Sequence, residues 1–212
     1  AYESKPMNVK GGDMWKFGVN YDQGIGVYFR LMNKFKVLTS KSYGFLTIVD
    51  NNDPNAVPDL NLQKRLGIDE NFDLSYEAEK VQLTLFNDLQ WNRYRYDDDT
   101  YNSSPLYNSL GISVRLKLSP LEMYIRLSDD FRKGYATSEM NGHKLMSMAS
   151  ISYGFCKNKC RLSLFVDDIF NNDIWYDNNY SAFQRTETTT NYMHHYANLK
   201  FSYRFDAKAK KK

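Results

Sequence analysis

The sequence lacks most of the features from which a function can be inferred directly. It contains no apolar run near the roughly 18 residues that a membrane-spanning helix needs, and no Gly-x-Ser-x-Gly, His-Glu-x-x-His or glycine-rich phosphate-binding motif. It has two cysteines and three histidines, which do not make a zinc site. Its 28 basic and 25 acidic residues are scattered and form no extended basic stripe for nucleic acid. The sequence therefore predicts no enzyme, no cofactor, no metal and no nucleic-acid partner.

The chain does contain long segments in which apolar and polar residues alternate strictly. In Leu110–Leu118 every second residue is Leu, Ile or Val, opposed by Gly111, Ser113, Arg115 and Lys117. The segment Tyr196–Phe205 alternates in the same way, and 16% of the chain is aromatic. A period of two predicts β-strands with one apolar and one polar face.

This period and the flanking turn residues predict nine or ten strands and no helix. Several reach the nine to eleven residues that a tilted membrane strand requires. The first predicted range divides into two strands if a turn lies near Asp22-Gln-Gly24. The ranges are Asp13–Asn33, Lys36–Asp50, Leu60–Tyr76, Val81–Tyr96, Leu106–Leu118, Leu121–Phe131, His143–Cys156, Cys160–Asp168 and Met193–Phe205.

The predicted connections alternate between short and long. Glu77–Lys80, Ser119-Pro120 and Lys157–Lys159 are short, whereas the connections between them are long and rich in Asp, Asn, Ser and Tyr. Short turns on one side and long loops on the other are typical of bacterial outer-membrane barrels. The mean hydropathy of −0.63 agrees with this fold, because only every second residue of such a strand contacts lipid. The sequence thus predicts an all-β, antiparallel, up-and-down transmembrane β-barrel over residues 1–212, with a solvated basic tail at 206–212.

The two faces of the predicted strands have different expected environments. Rows such as Trp15, Phe17, Val19 and Tyr21, and Ile25, Val27, Phe29 and Leu31, are expected to face lipid. The charged side chains on the opposite face are expected to line a wet lumen, where they either tune solute passage or contact a plug. These residues are Arg115, Lys117, Arg126, Arg161, Lys200 and Arg204.

A few loop residues are candidates for specific roles. Cys156 and Cys160 flank a predicted turn, so they form either a disulfide, as an oxidising periplasm favours, or two free thiols. Trp175, Tyr176 and Tyr180 could stack on an organic or sugar ligand, or pack loops together. His194 and His195 point to opposite faces of a strand, so the ordinary interpretation is structural, and a His-Asp hydrolytic pair ranks last.

The end of the chain resembles the end of TonB-dependent receptors, most closely the outer-membrane barrel receptors of Bacteroidetes. The resemblance rests on two motifs. The first is Asp168-Ile169-Phe170-Asn171, which closes the next-to-last segment, and the second is Tyr203-Arg204-Phe205, which ends the last strand.

The resemblance implies a 22-stranded barrel with an N-terminal plug that imports a ligand across the outer membrane with the TonB complex. Nine or ten strands cannot close such a cylinder, so the chain is expected to be the C-terminal part of the barrel, an open curved sheet with two unpaired edges. Its partners would be membrane lipid, the rest of the barrel, the plug, and a small-molecule, peptide or glycan ligand. Two alternatives remain: a complete small barrel with a structural or adhesive role, and a soluble glycan-binding β-sandwich.

Overall fold

The computed structural model describes residues 11–45, 60–97, 99–157, 159–171, 175–180, 185–190 and 195–205. Nearly all of them lie in β-strands, and nine strands form one antiparallel sheet in the order β1-β2-β3-β4-β5-β6-β7-β8-β11. The strands of this sheet are β1 Asp13–Ile25, β2 Phe29–Phe45, β3 Leu60–Glu77, β4 Val81–Tyr96, β5 Leu106–Leu118, β6 Leu121–Lys133, β7 Gly142–Phe155, β8 Cys160–Asp167 and β11 Tyr196–Tyr203. The predicted all-β, antiparallel, up-and-down architecture is confirmed, and the sheet is open, because β1 and β11 are its edges.

The long connection between β8 and β11 contains a second, two-stranded sheet. Its strands are β9, Trp175–Tyr180, and β10, Arg185–Thr190, which pair antiparallel. The sequence predicts a loop over this whole stretch, because its Asn, Asp and Thr residues obscure the period of two. Two short 3₁₀ turns lie in other long connections, at Asp99–Tyr101 and Ser138–Met140. None of the described residues forms a helix that is long and apolar enough to cross a membrane.

One turn and one strand boundary were predicted wrongly. The turn expected near Asp22-Gln-Gly24 lies at Gly26–Tyr28, where Gly26 has a φ of +65°, a conformation that glycine adopts without strain. β2 then continues through Asn33 and Lys36, which the sequence pattern predicts to lie in different strands. Val27, expected in a lipid-facing row, is a turn residue.

The register places a row of apolar side chains on one face from β2 to β6. The row that starts at Leu31 continues through Leu74, Leu85, Ile112 and Leu127. Each of these residues is directly opposite the next, and directly opposed residues share a face. We call this side the apolar face and the other side, which carries Ser109, Gly111, Ser113, Arg115 and Lys117 in β5, the polar face.

Burial is the reverse of that in a soluble sheet. On the apolar face Leu110 and Ile112 keep 50% and 46% of their surface exposed, whereas on the polar face Ser109 and Ser128 keep 4% and 7%. In a water-soluble domain the apolar face would be covered by a second layer. Here the polar face is the more enclosed one, as on the concave side of a curved sheet.

The strands β2, β4, β6 and β8 run in the same direction, and their first residues are staggered by a constant amount. In register with Phe29, the first residue of β2, lie Leu83, Ile125 and Val166 of β4, β6 and β8. These residues come two, four and six positions after the strand starts at Val81, Leu121 and Cys160. The stagger is therefore one residue per strand crossed. With a rise of about 3.3 Å per residue and a strand spacing of about 4.8 Å, strands whose short turns share a plane are tilted by about 35°.

A glycine and an aromatic ring fix the middle of the polar face. A Cβ atom on Gly111 would lie 2.3 Å from Cζ of Phe86 and 2.4 Å from the carbonyl oxygen of Leu127. The ring of Phe86 thus covers Gly111, and the guanidinium of Arg126 lies over that ring, 3.8 Å from its centroid. Phe86 is 4% exposed although its neighbours on this face are polar. The stack joins β4, β5 and β6 and requires glycine at position 111.

Gly111→Ala is predicted to destabilise the sheet by about 1–3 kcal/mol, because the added methyl group meets both a ring and a backbone carbonyl. Urea unfolding in a neutral detergent measures the change. Gly18→Ala is the matched control, since its Cβ would meet nothing closer than 3.5 Å. Equal unfolding midpoints for the two variants would show that the stack does not constrain the strands.

Candidate functional site

The charged residues predicted to line a lumen lie together on the polar face. Arg115 and Arg161 share one carboxylate, Glu122, at 3.9 and 3.5 Å. An open cavity of about 710 Å³ lies at the short-turn end, and its lining includes Lys117, Glu122, Arg161 and Arg204. Lys200 lies on the same face in β11, opposite Ser163. Basic side chains therefore predominate at this end of the polar face.

A buried carboxylate with a network of hydroxyl donors, which the sequence pattern does not predict, lies nearer the long loops. Asp130 is 8% exposed and accepts hydrogen bonds from the hydroxyls of Ser109 at 2.6 Å, Tyr107 at 3.0 Å and Ser128 at 3.2 Å. Three donors compensate a buried carboxylate. The sequence pattern places these residues on the polar side of β5 and β6. It does not predict that their side chains contact one another.

The hairpin β9–β10 packs against the long-loop end of the sheet. The ring of Tyr180 stacks on Tyr94, with centroids 4.6 Å apart and planes 15° apart. Tyr94 projects from the polar face of β4, and the guanidinium of Arg65 lies 5.6 Å from its ring centroid. The hairpin therefore extends across the long-loop end of the polar face, which we call its mouth.

Glu187 of β10 fastens this hairpin to the loop between β6 and β7. Its carboxylate accepts hydrogen bonds from the backbone N–H of Ala136 at 3.1 Å and of Thr137 at 2.8 Å, and from the hydroxyl of Tyr180 at 2.7 Å. Burial, with a smaller contribution from the Glu187 charge, raises the pKa of the neighbouring Tyr135 despite the opposing effect of Arg132. Tyr135 is thus neutral at physiological pH and adds no negative charge to this cluster.

These contacts bear on the aromatic residues proposed to bind ligand. Tyr180 packs loop against sheet, which is one of its two predicted roles. Trp175 and Tyr176 lie in β9, opposite Thr190 and Thr189. Ligand stacking by these residues stays a prediction.

The receptor-like motif at Asp168–Asn171 forms a tight turn. Asp168 and Asn171 have φ values of +46° and +55°, and the Asn171 N–H donates to the Asp168 carbonyl at 3.0 Å. The ring Nδ1–H of His195 donates to the same carbonyl at 2.8 Å. Asp168 is 1% exposed, whereas Ile169 and Phe170 are exposed. The turn ends β8, and His195 ties the return of the long loop to it.

The second motif lies at the opposite end of the sheet. Tyr203 pairs with Cys160 in the ladder, and its ring packs edge-on against Phe205 at 4.4 Å. The backbone N–H of Arg204 donates to the Lys159 carbonyl at 2.8 Å. These contacts bind the end of β11 to the β7–β8 turn.

Neither a metal site nor a hydrolytic pair is assembled within the described ranges. No group of three or more His, Cys, Asp or Glu side chains in those ranges is placed to hold a metal ion. His194, the basic tail at 206–212 and the residues 46–59 lie outside them. Within these ranges a histidine contacts a carboxylate where His143 lies 2.8 Å from Asp129, on the exposed apolar face.

Comparison with known proteins finds no matching family model, no matching curated protein and no matching solved structure. The resemblance to TonB-dependent receptors therefore stays a prediction.

Glu187→Gln is predicted to loosen the hairpin without unfolding the sheet. Loss of the carboxylate charge weakens two backbone hydrogen bonds, by about 1–2 kcal/mol in total. Hydrogen exchange at the Ala136 and Thr137 amides should then be about tenfold faster, as follows from that energy. Asp177→Asn, which removes an exposed carboxylate from the same hairpin, is the control and should leave both amides protected. Unchanged exchange in Glu187→Gln would contradict the assignment.

The two cysteines are free thiols, and both lie at the β7–β8 turn. Cys156 is exposed, has a φ of +54° and follows Phe155, which is directly opposite the buried Cys160 in the ladder. We predict that mild oxidation of the folded protein links them. Mass spectrometry after alkylation should then detect no modified cysteine, and Cys160→Ser should leave Cys156 reactive. Two alkylated cysteines after oxidation would refute the disulfide.

Proposed function

We propose that the chain is part of the wall of an outer-membrane β-barrel of the TonB-dependent receptor type, which takes part in ligand uptake. The observation that carries the membrane assignment is the arrangement of the apolar face. In each of β4 to β7, four or more positions on this face are apolar, and their side chains are exposed or partly exposed. A face of this kind suits lipid and is costly in water.

The height of the apolar band agrees with a bilayer. It extends from the strand starts to positions ten residues further, such as Trp91 in β4 and Phe131 in β6. Ten residues at about 3.3 Å each, tilted by about 35°, rise about 27 Å. Outer-membrane barrels have an apolar band about 25 Å tall.

Aromatic side chains mark both edges of this band. At the short-turn edge Phe29 packs on Tyr76 at 5.3 Å, and Phe155 lies 6.3 Å from both Tyr153 and Phe201. At the other edge lie Trp15, Trp91 and Phe131. Trp91 and Phe131 are ten residues from the starts of β4 and β6, and Trp15 is opposite Thr39, which is ten residues from the start of β2. Two aromatic girdles are typical of transmembrane barrels.

Two carboxylates on the apolar face are compensated by neighbours. Glu70 accepts a hydrogen bond from the Asn33 amide at 2.9 Å, and Asp129 contacts His143 at 2.8 Å. A partner reduces the cost of a polar group in lipid. Neither residue therefore conflicts with the proposal.

The receptor assignment is finer than the membrane assignment and rests on other features. It is supported by the Asp168–Asn171 motif, which forms a defined turn, by the wet polar face, and by the hairpin that reaches across its mouth. A wall with two open edges also requires further strands in lipid, because unpaired backbone groups are costly there. These strands would belong to the same barrel, with the long loops extracellular.

The alternatives receive less support. A complete small barrel would pair β1 with β11, and these strands are the two edges of the sheet. A β-sandwich would cover the apolar face with a second sheet, and within the described residues the other sheet has only two strands.

The experiment compares two neighbouring residues on opposite faces of β5, in a background of Cys156→Ser and Cys160→Ser. Spin labels on Ile112→Cys and Ser113→Cys are examined in liposomes. We expect the label at 112 to collide with oxygen, which dissolves in lipid, and the label at 113 to collide with a water-soluble nickel chelate. Equal access of the chelate to both labels would contradict a membrane wall.

A further inference from the structure

Above the apolar band, the sheet places like charges directly opposite one another. On the apolar face Lys41 of β2 is opposite Lys64 of β3, and Lys64 is opposite Arg95 of β4. All three side chains are exposed. Like charges directly opposite each other destabilise a sheet. The row therefore has an energetic cost that no contact on the sheet explains.

Carboxylates near this row do not neutralise it. Asp13 lies opposite Lys41 at the end of the row, but no ion pair joins them in the part of the chain that the structure describes. Asp97, two residues beyond Arg95, accepts a hydrogen bond from the backbone N–H of Leu62 at 3.1 Å. On the polar face the pattern is different, since Lys36 is opposite Asp69 and Lys144 is opposite Asp130.

Other basic residues lie on the same face at the height of Lys41. Lys41, Arg93 and Lys133 each lie twelve residues from the starts of their strands, β2, β4 and β6. With the tilt derived above, this height is about 32 Å from the short-turn end. It is just beyond the aromatic girdle formed by Trp15, Trp91 and Phe131. At this level a membrane changes from hydrocarbon to headgroups.

We propose that Lys41, Lys64, Arg93 and Arg95 form a site for the phosphate groups of anionic lipid headgroups in the leaflet next to the long loops. The proposal rests on the membrane location proposed above. The lipid phosphate supplies a counter-charge that no carboxylate among the described residues provides, and the two guanidinium groups can each hold a phosphate through two hydrogen bonds. The basic row thus sets which lipids surround this part of the wall.

The test uses the full chain in neutral detergent, with lipid A as the anionic lipid and inorganic phosphate as the free anion. Lys64→Gln combined with Arg95→Gln should reduce lipid A retention, measured by native mass spectrometry, at least about tenfold. Lys16→Gln combined with Lys34→Gln is the matched control, because it removes two cations from the polar face. It should change retention less than about twofold. Inorganic phosphate at the same concentration should displace little lipid A, since it lacks acyl chains that contact the apolar face.

The effect of Lys64→Gln on stability should have opposite signs with and without the anionic lipid. Without lipid A, Lys64→Gln should raise the unfolding midpoint, because it relieves repulsion from both neighbours. With lipid A, the same variant should be less stable than the parent. Equal retention in all variants, or equal loss in the control pair, would overturn the headgroup site. The spin labels at 112 and 113 separately report membrane insertion, so a failed site and a failed membrane assignment are distinguishable.

Discussion

The register of backbone hydrogen bonds across the nine-stranded sheet is the constraint on which the rest depends. Because side chains alternate with a period of two, a slip of one residue between two strands would move a whole apolar row to the opposite face. The row from Leu31 to Leu127 crosses five strands without such a slip. The same register sets the stagger of one residue per strand. The division into two faces and the strand tilt therefore have one physical origin.

The two faces then separate two kinds of energetics. On the polar face, opposite charges and hydrogen bonds compensate one another, as in the three donors to Asp130 and the shared carboxylate Glu122. On the apolar face, stabilisation requires something outside the described residues, because the exposed Leu, Ile and Val side chains have no second layer. Lipid would satisfy that requirement, and headgroup phosphates would satisfy the unneutralised cations at its border. The hairpin β9–β10 lies where the polar face meets the long loops, and Glu187 binds it to the β6–β7 loop there.

Much of the fold was predictable from the sequence, and the reasons are local. In β5 and β11 alternation is strict, so both strands and both faces could be read directly. Turns were predictable where short polar segments such as Ser119-Pro120 separate two alternating runs. The position of the first turn was wrong, because Asp22-Gln-Gly24 resembles a turn as much as Gly26–Tyr28 does, and only the register with β2 distinguishes them. The stack of Arg126 on Phe86 over Gly111, the Asp130 network and the row of like charges involve residues from different strands. They depend on pairing, which periodicity alone does not give.

We propose that these strands cross a membrane at the tilt set by their stagger. Polarised infrared spectroscopy of the full chain in oriented bilayers measures that angle directly, because the amide bands report the strand direction relative to the membrane normal. We expect a mean strand tilt of about 35°, within the range of about 35–45° for outer-membrane barrels. Strands that lie parallel to the bilayer plane, or that show no preferred orientation, would contradict it.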